Sequence, residues 1–332
     1  MEERGRALPD SYSLEAEERN VGVAETPSAS AATRPLSPSD VTFRHSGWLP
    51  QRDRIRAALV RQSVPDGRLA SWDTCGCDAW VMRDPENHSR LKICSSTCHD
   101  RFCIPCADSR SAKIGRRLRE RVGADRISFL TLTLADNDVG LSGLIDKLLG
   151  SFRKLRTDKI WKRDVDGGVA FLEIKWNAKS SRWHPHLHVI MACGYLPQTW
   201  LSATWLRVTG TSFIVDIRRP TDAENVIRYI TKYGSKPLDH SFVNDDDRLD
   251  EALEALHGRH LAIVFGDWRD WCLTDDDEHE QWEPIDTLSR LIARASSGDV
   301  EALSIMERLQ CTILKVTTSE QQNKSPPGTV PF

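Results

Sequence analysis

The sequence predicts an α+β protein built on antiparallel strands, with a metal-binding cysteine segment ahead of them. Three observations carry this. The stretch "RWHPHLHVIMACG", Arg182 to Gly194, sets histidines at alternate positions of an apolar run. Two strand-like runs precede it, the nearer separated from it only by the polar "NAKSSR". Six of the nine cysteines crowd between Thr74 and Ala107.

The chain has 332 residues, 39% hydrophobic and 28% charged, with a formal net charge of -3, a length that suits two domains or one with extensions. Residues 1–44, which include "ETPSASAATRPLSPSD", show no periodicity and too little apolar surface to offset ordering, so they are expected to be disordered. The tail at 317–332 reads the same way. No run reaches the ~18 apolar residues of a membrane span, and the polar N-terminus does not resemble a signal peptide, so a cytoplasmic protein without a membrane partner is expected. Lysine and arginine dominate from Arg110 to Arg163, whereas Asn244 to Asp286 is acidic. A near-neutral total therefore leaves room for a basic surface that holds phosphates.

In the Cys-rich segment, 45–115, the pattern is Cys75-x-Cys77 followed by Cys94-x3-Cys98-x4-Cys103-x2-Cys106. In a reducing compartment such clustering favours thiolate coordination over disulfides, and these spacings suit a structural tetrahedral Zn²⁺. Cys103 and Cys106, in the knuckle "RFCIPCADSR", are the firmest ligands; Cys98, Cys94, Cys75 and Cys77 compete for the remaining places.

The core region spans 116–240. "RISFLTLTLAD" alternates Leu130, Leu132 and Leu134 with Phe129, Thr131 and Thr133, a strand with one buried face and a threonine face that can line a groove. Gly140 to Lys162 repeats apolar residues at helical spacing between basic ones, an amphipathic helix. "GGVAFLEIKWN" and the histidine strand should form an antiparallel hairpin. Side chains alternate between faces, so His184, His186 and His188 share one side, joined by Glu173 if paired residue numbers sum to an odd value. Imidazoles at i, i+2 and i+4 with a carboxylate form a sensible divalent-metal site. "SFIVDIRRP" is a further strand. "TDAENVIRYITKYGSK" opens with a capping-box pattern at Thr221 and Glu224 and stops at Gly234, placing Tyr229 and Tyr233 four apart on one helix face beside Lys232 and Lys236. Residues 241–316 read as an acidic, mainly helical region.

In order, "FLTLTL", "HPHLH" and "YITKYGSK" resemble motifs one, two and three of the HUH endonucleases, in particular the rolling-circle replication initiators of plasmids and small phages, and the cysteine lead-in resembles that of the Cys-rich plasmid Rep proteins. The resemblance covers Cys75 to Lys236. It implies an HUH-like antiparallel sheet with the histidines on a central strand and helices on one face. It implies that His186 and His188 bind Mg²⁺ or Mn²⁺, with Glu173 a candidate third ligand and His184 an orienting residue. Tyr233 matches the nucleophile and Tyr229 the second tyrosine of two-tyrosine members, a departure from the single-tyrosine plasmid pattern. Lys232 and Lys236 would contact phosphates or favour the phenolate. The implied activity is nicking of origin DNA, single-stranded at the nick, through a 5′-phosphotyrosine and a free 3′-OH, with a host helicase and replication machinery as partners. Two rivals share many of these features: a transposase or relaxase of the same superfamily, and a non-catalytic zinc-dependent DNA-binding regulator.

Overall fold

The computed structural model of the chain describes residues 44–122, 126–135, 139–219, 240–273 and 281–309. The expected helix from Thr221 to Gly234, with Tyr229, Lys232, Tyr233 and the nearby Lys236, lies outside the described residues, as do the N-terminal extension up to 43 and the tail from 310. The chain is mixed α+β with antiparallel sheets.

In chain order the elements are α1 (Leu49–Arg61), α2 (Asp66–Asp73), β1 (Trp80–Arg83), β2 (Leu91–Cys94), α3 (Ile104–Val122), β3 (Ile127–Thr133), α4 (Leu141–Leu155), α5 (Lys159–Asp164), β4 (Val165–Asn177), β5 (Arg182–Cys193), α6 (Gln198–Thr209), β6 (Val215–Arg218), α7 (Asp246–Leu256), β7 (Ala262–Gly266), β8 (Glu283–Thr287) and α8 (Leu288–Ser296). A single helical turn, His240–Val243, precedes α7, and residues 300–309 are helical.

Five strands form the main sheet in the order β6-β3-β5-β4-β7, so the histidine strand β5 is central. Its register follows from which face each residue must bury. Leu130, Leu132, Ala170, Leu172, Leu187, Val189 and Met191 point into one core with Leu144, Ile145 and Leu148 of α4 and Leu201 and Trp205 of α6. A slip of one residue would turn that whole set outward, exposing several large side chains at roughly 1.5–3 kcal/mol each. The opposite face is divided. At one end Ile127, Val169, Phe171, Ile190 and Ala192 pack beneath Ile114, Leu118 and Val122 of α3 and beneath Trp268, so a helix is added on this side as well. At the other end the same strands carry Thr131, Thr133, His184, His186, His188, Glu173 and Lys175.

The backbone comes unusually close at Gly168, where a Cβ would run into the carbonyl oxygen of Ile190. A side chain there would force β4 off β5, which explains the glycine in an otherwise branched and aromatic strand.

The helix expected from Gly140 to Lys162 is interrupted. Its apolar stripe, from Leu141 to Leu155, is buried, and then Asp158 accepts a hydrogen bond from the Ile160 N–H at 2.9 Å and caps α5. An aspartate whose side chain satisfies a free N–H favours a new helix start over continuation.

The acidic stretch after 240 is woven into both sheets. β7 ("AIVFG") pairs with β4 at the edge of the main sheet. β8 pairs with β1 to complete a small sheet of order β2-β1-β8, under which Leu288, Leu291, Ala302, Ile305 and Met306 form a separate core. Glu251 of α7 ties the layers, accepting from Leu141 N–H at 2.8 Å and from Trp183 Nε1 at 2.6 Å. No helix among the described residues is long and apolar enough to cross a membrane.

Candidate functional site

Two constellations stand out. The first is built where α2 ends and α3 begins. Cys75 follows α2, Cys103 and Cys106 straddle the first residues of α3, and Cys98 lies in the loop between. Their ligand atoms all lie within 4.8 Å of one another. The Cys75–Cys103 separation is 3.8 Å, and Cys75–Cys106 and Cys98–Cys106 are each 3.7 Å. These are far too long for disulfides, whose sulfurs sit ~2.05 Å apart. They match the edge of a tetrahedron with ~2.3 Å Zn–S bonds, which is about 3.8 Å. The four sulfurs can hold a metal such as zinc.

Two candidates from the spacing are not part of this cluster. Cys94 ends β2, exposed and paired with Trp80 across the small sheet, and Cys77 lies in the loop beyond Cys75. Two residues that spacing did not indicate are drawn in: the Arg44 guanidinium lies 3.6 Å from Cys106 Sγ, and Nε2 of the buried His45 lies 3.8 Å from Cys103 Sγ. A cation beside thiolates offsets the charge of a four-sulfur set. Hydrogen bonds to Cys103, Cys106 and Cys98 favour the thiolate of Cys75, while those to Cys106, Cys75 and Cys98 push the Cys103 thiol up.

The second constellation is the polar end of the sheet. Glu173 stands opposite His186 in the β4–β5 ladder, and Lys175 opposite His184. Strand β3 sets Thr131 opposite His188 and Thr133 opposite His186. Glu173 is 4% exposed, and its Oε2 meets Nε2 of His188 at 2.8 Å while Oε1 meets Lys175 Nζ at 3.1 Å. Burial works against this carboxylate, but the hydrogen bond from His188 and the charge of Lys175 outweigh it and keep its pKa below the ordinary range. Burial pushes His186 down to about 4, so this imidazole is neutral at physiological pH. The rings of His184, His186 and His188 follow one another at 6.1 Å, the repeat of a strand.

Glu173, His186 and His188 offer the carboxylate and imidazole donor types that a hard divalent cation takes. Glu173 Oε2 and His188 Nε2 are separated by little less than the edge of an octahedron with ~2.1 Å bonds, which is about 3 Å. The set is more open than the sulfur cluster, which is the one group of three or more such donors within mutual reach among the described residues. His186 is the outlying member, and His184 lies two ladder positions further along.

The model of the Rep_1 replication protein family matches residues 90–297 of the chain. The chain belongs to this replication protein family. Among curated relatives, a "Protein rep" of Staphylococcus aureus is 26% identical over 210 residues, covering 57% of this chain and 91% of the relative. A "Protein rep" of Bacillus amyloliquefaciens is 32% identical over 217 residues, covering 52% of this chain and 63% of the relative, so just under two thirds of that protein is spanned. No solved structure matches the chain.

Within this replication protein the family match takes in β3, β4, β5 and three of the four clustered cysteines; Cys75, Arg44 and His45 lie ahead of it. The match also includes the sequence of Tyr229 and Tyr233, which the structure does not describe. Arg44 and His45 carried no sequence signal, being 31 and 30 residues before Cys75 in a stretch without pattern. Thr131 and Thr133 did carry one, as the polar face of a strand.

Proposed function

We propose that this replication protein initiates rolling-circle replication by nicking one strand of its plasmid or phage origin and later rejoining it. A tyrosine hydroxyl attacks a backbone phosphorus, the bond from phosphorus to the 3′ oxygen breaks, and the phenolic proton is lost while the departing oxygen gains one. The products are a 5′-phosphotyrosine and a free 3′-OH that primes synthesis. Tyr233 is the initiating nucleophile and Tyr229 the second, with Lys232 and Lys236 contacting phosphates.

The observation that supports this reading is the 2.8 Å contact of buried Glu173 with His188 on the strand pair that also carries His186, in a chain of the replication protein family. Glu173, His186 and His188 would hold Mg²⁺ or Mn²⁺, which when bound supplies charge that polarises the scissile phosphate. The chain keeps this set ready by its own means: Glu173 stays ionised and His186 stays neutral. Cys75, Cys98, Cys103 and Cys106 hold a structural zinc, and the basic surface around α3 and α4 contacts the DNA backbone. The substrate is single-stranded at the nick, and a host helicase and polymerase extend the product.

The test is incubation of the full chain with Mg²⁺ and supercoiled DNA carrying the origin. Relaxed circles and protein covalently bound to the 5′ end are expected, both abolished by EDTA. A regulator without chemistry would bind the DNA and leave it uncut.

A further inference from the structure

Strand β3 makes a second set of contacts to the histidines that the nicking reading does not use. Thr131 Oγ1 lies 3.2 Å from Nδ1 of His188, and Thr133 Oγ1 lies 3.2 Å from Nδ1 of His186. Each threonine is the direct ladder partner of the histidine it touches. Two residues earlier, the ring of Phe129 stacks on His188 with centroids 5.8 Å apart and planes 7° from parallel. His188 is thus fixed at three points: one ring face by Phe129, Nδ1 by Thr131 and Nε2 by Glu173.

We propose that Thr131 and Thr133 are positioning residues that aim His188 and His186 at the divalent ion through hydroxyls able to reverse their hydrogen bonds; this rests on the metal reading above. An imidazole that binds a metal through Nε2 carries its proton on Nδ1 and needs an acceptor there. Without metal the demand at His188 is opposite. The Glu173 carboxylate can only accept, so Nε2 donates to it, and in the neutral ring Nδ1 then accepts from the Thr131 hydroxyl. Loading the ion moves that proton from Nε2 to Nδ1, with no net gain or loss, and the hydroxyl turns from donor to acceptor. A carbonyl or carboxylate in its place would serve one tautomer alone. Branching at Cβ restricts χ1, so the hydroxyl keeps its place as its role reverses. The alternation of threonines in "FLTLTL" follows: with a period of two, consecutive polar positions of β3 meet alternate histidines of β5.

The experiment uses the full chain with zinc retained, in wild-type, Thr131→Val, Thr133→Val and Thr131→Ser forms. Mn²⁺ affinity is read by calorimetry and ring tautomers by ¹⁵N NMR of labelled histidines with and without Mg²⁺. Valine has the shape of threonine without the hydroxyl, and each valine variant should bind Mn²⁺ about 10- to 100-fold more weakly. Thr131→Ser should stay within about threefold of wild type, as a hydroxyl role demands. In wild type Mg²⁺ should move the His188 proton from Nε2 to Nδ1. Unchanged Mn²⁺ affinity in both valine variants would overturn the proposal, and so would a wild-type His188 that keeps its proton on Nε2 with Mg²⁺ bound, a readout that needs no variant to fold. Failure of the wild type to bind either ion would overturn the metal reading instead. The threonine contact would then be judged in the metal-free protein, where the ¹⁵N shift of His188 Nδ1 should report an accepted hydrogen bond in wild type and its loss in Thr131→Val.

Discussion

Glu173 faces His186 across the β4–β5 ladder, yet its carboxylate bonds His188, two ladder pairs along the strand, at 2.8 Å. The diagonal gives the carboxylate to His188, while His186 is held by Thr133. Glu173→Gln keeps the shape and removes the charge. It should reduce Mn²⁺ affinity and origin nicking by roughly 100-fold or more while leaving duplex DNA binding unchanged. Calorimetry, a nicking assay and a mobility shift separate these, and full nicking by the variant would remove Glu173 from the site.

Under the proposed mechanism the tyrosines divide the chemistry. Tyr233→Phe should lose most covalent adduct on a single-stranded origin oligonucleotide, Tyr229→Phe should nick but fail in strand transfer, and the double variant should do neither. Peptide mapping of the trapped adduct checks this: a DNA-linked peptide with neither tyrosine refutes the assignment, and linkage at Tyr229 alone reverses the roles.

Native mass spectrometry should find about one zinc per chain. Cys75→Ser or Cys103→Ser should lose it with a clear drop in melting temperature, while Cys77→Ser and Cys94→Ser should retain it. Zinc loss in the latter pair would contradict the four-sulfur assignment. Because Arg44 sits on Cys106, Arg44→Gln should keep zinc but release it faster to a chelator.

Acid should weaken the fold through His186. Its folded pKa of about 4 is below the ordinary value of 6.5, so between these values the unfolded chain binds more protons. That contribution to stability is present above about pH 6.5 and is lost as pH falls toward 4. Urea midpoints measured across that window should decline in wild type and decline less in His186→Gln. Parallel curves would show that His186 is not held neutral by burial.

Much of this molecule is legible in its sequence, for physical reasons. The alternation of Leu130 and Leu132 with threonines, and of His186 and His188 with Leu187 and Val189, exposes β3 and β5 because each has one apolar face. The hairpin follows from so short a polar link. Other features hide because a few local bonds decide them. Asp158 looks like any polar residue within a helical pattern until its carboxylate meets the Ile160 N–H. β7 is five residues among acids, and it is a strand because β4 offers an edge. Spacing singles out Cys103 and Cys106 but leaves Cys75, Cys77, Cys94 and Cys98 alike, and the fold alone adds Cys75 and Cys98 to the cluster and turns Cys94 outward.

The interweaving of β7 and β8 bears on how the protein is made. A ribosome delivers the chain from its N-terminus, and both sheets wait for strands encoded late: β4 keeps an open edge until Ala262–Gly266 emerges, and β1, paired early with β2, keeps its other edge open until Glu283–Thr287 does. Pairings so distant along the chain form slowly, and an unpaired edge is a template for sticking to other chains. A nascent or prematurely terminated polypeptide would therefore be a candidate for chaperones, and both sheets would close only after translation had passed both strands.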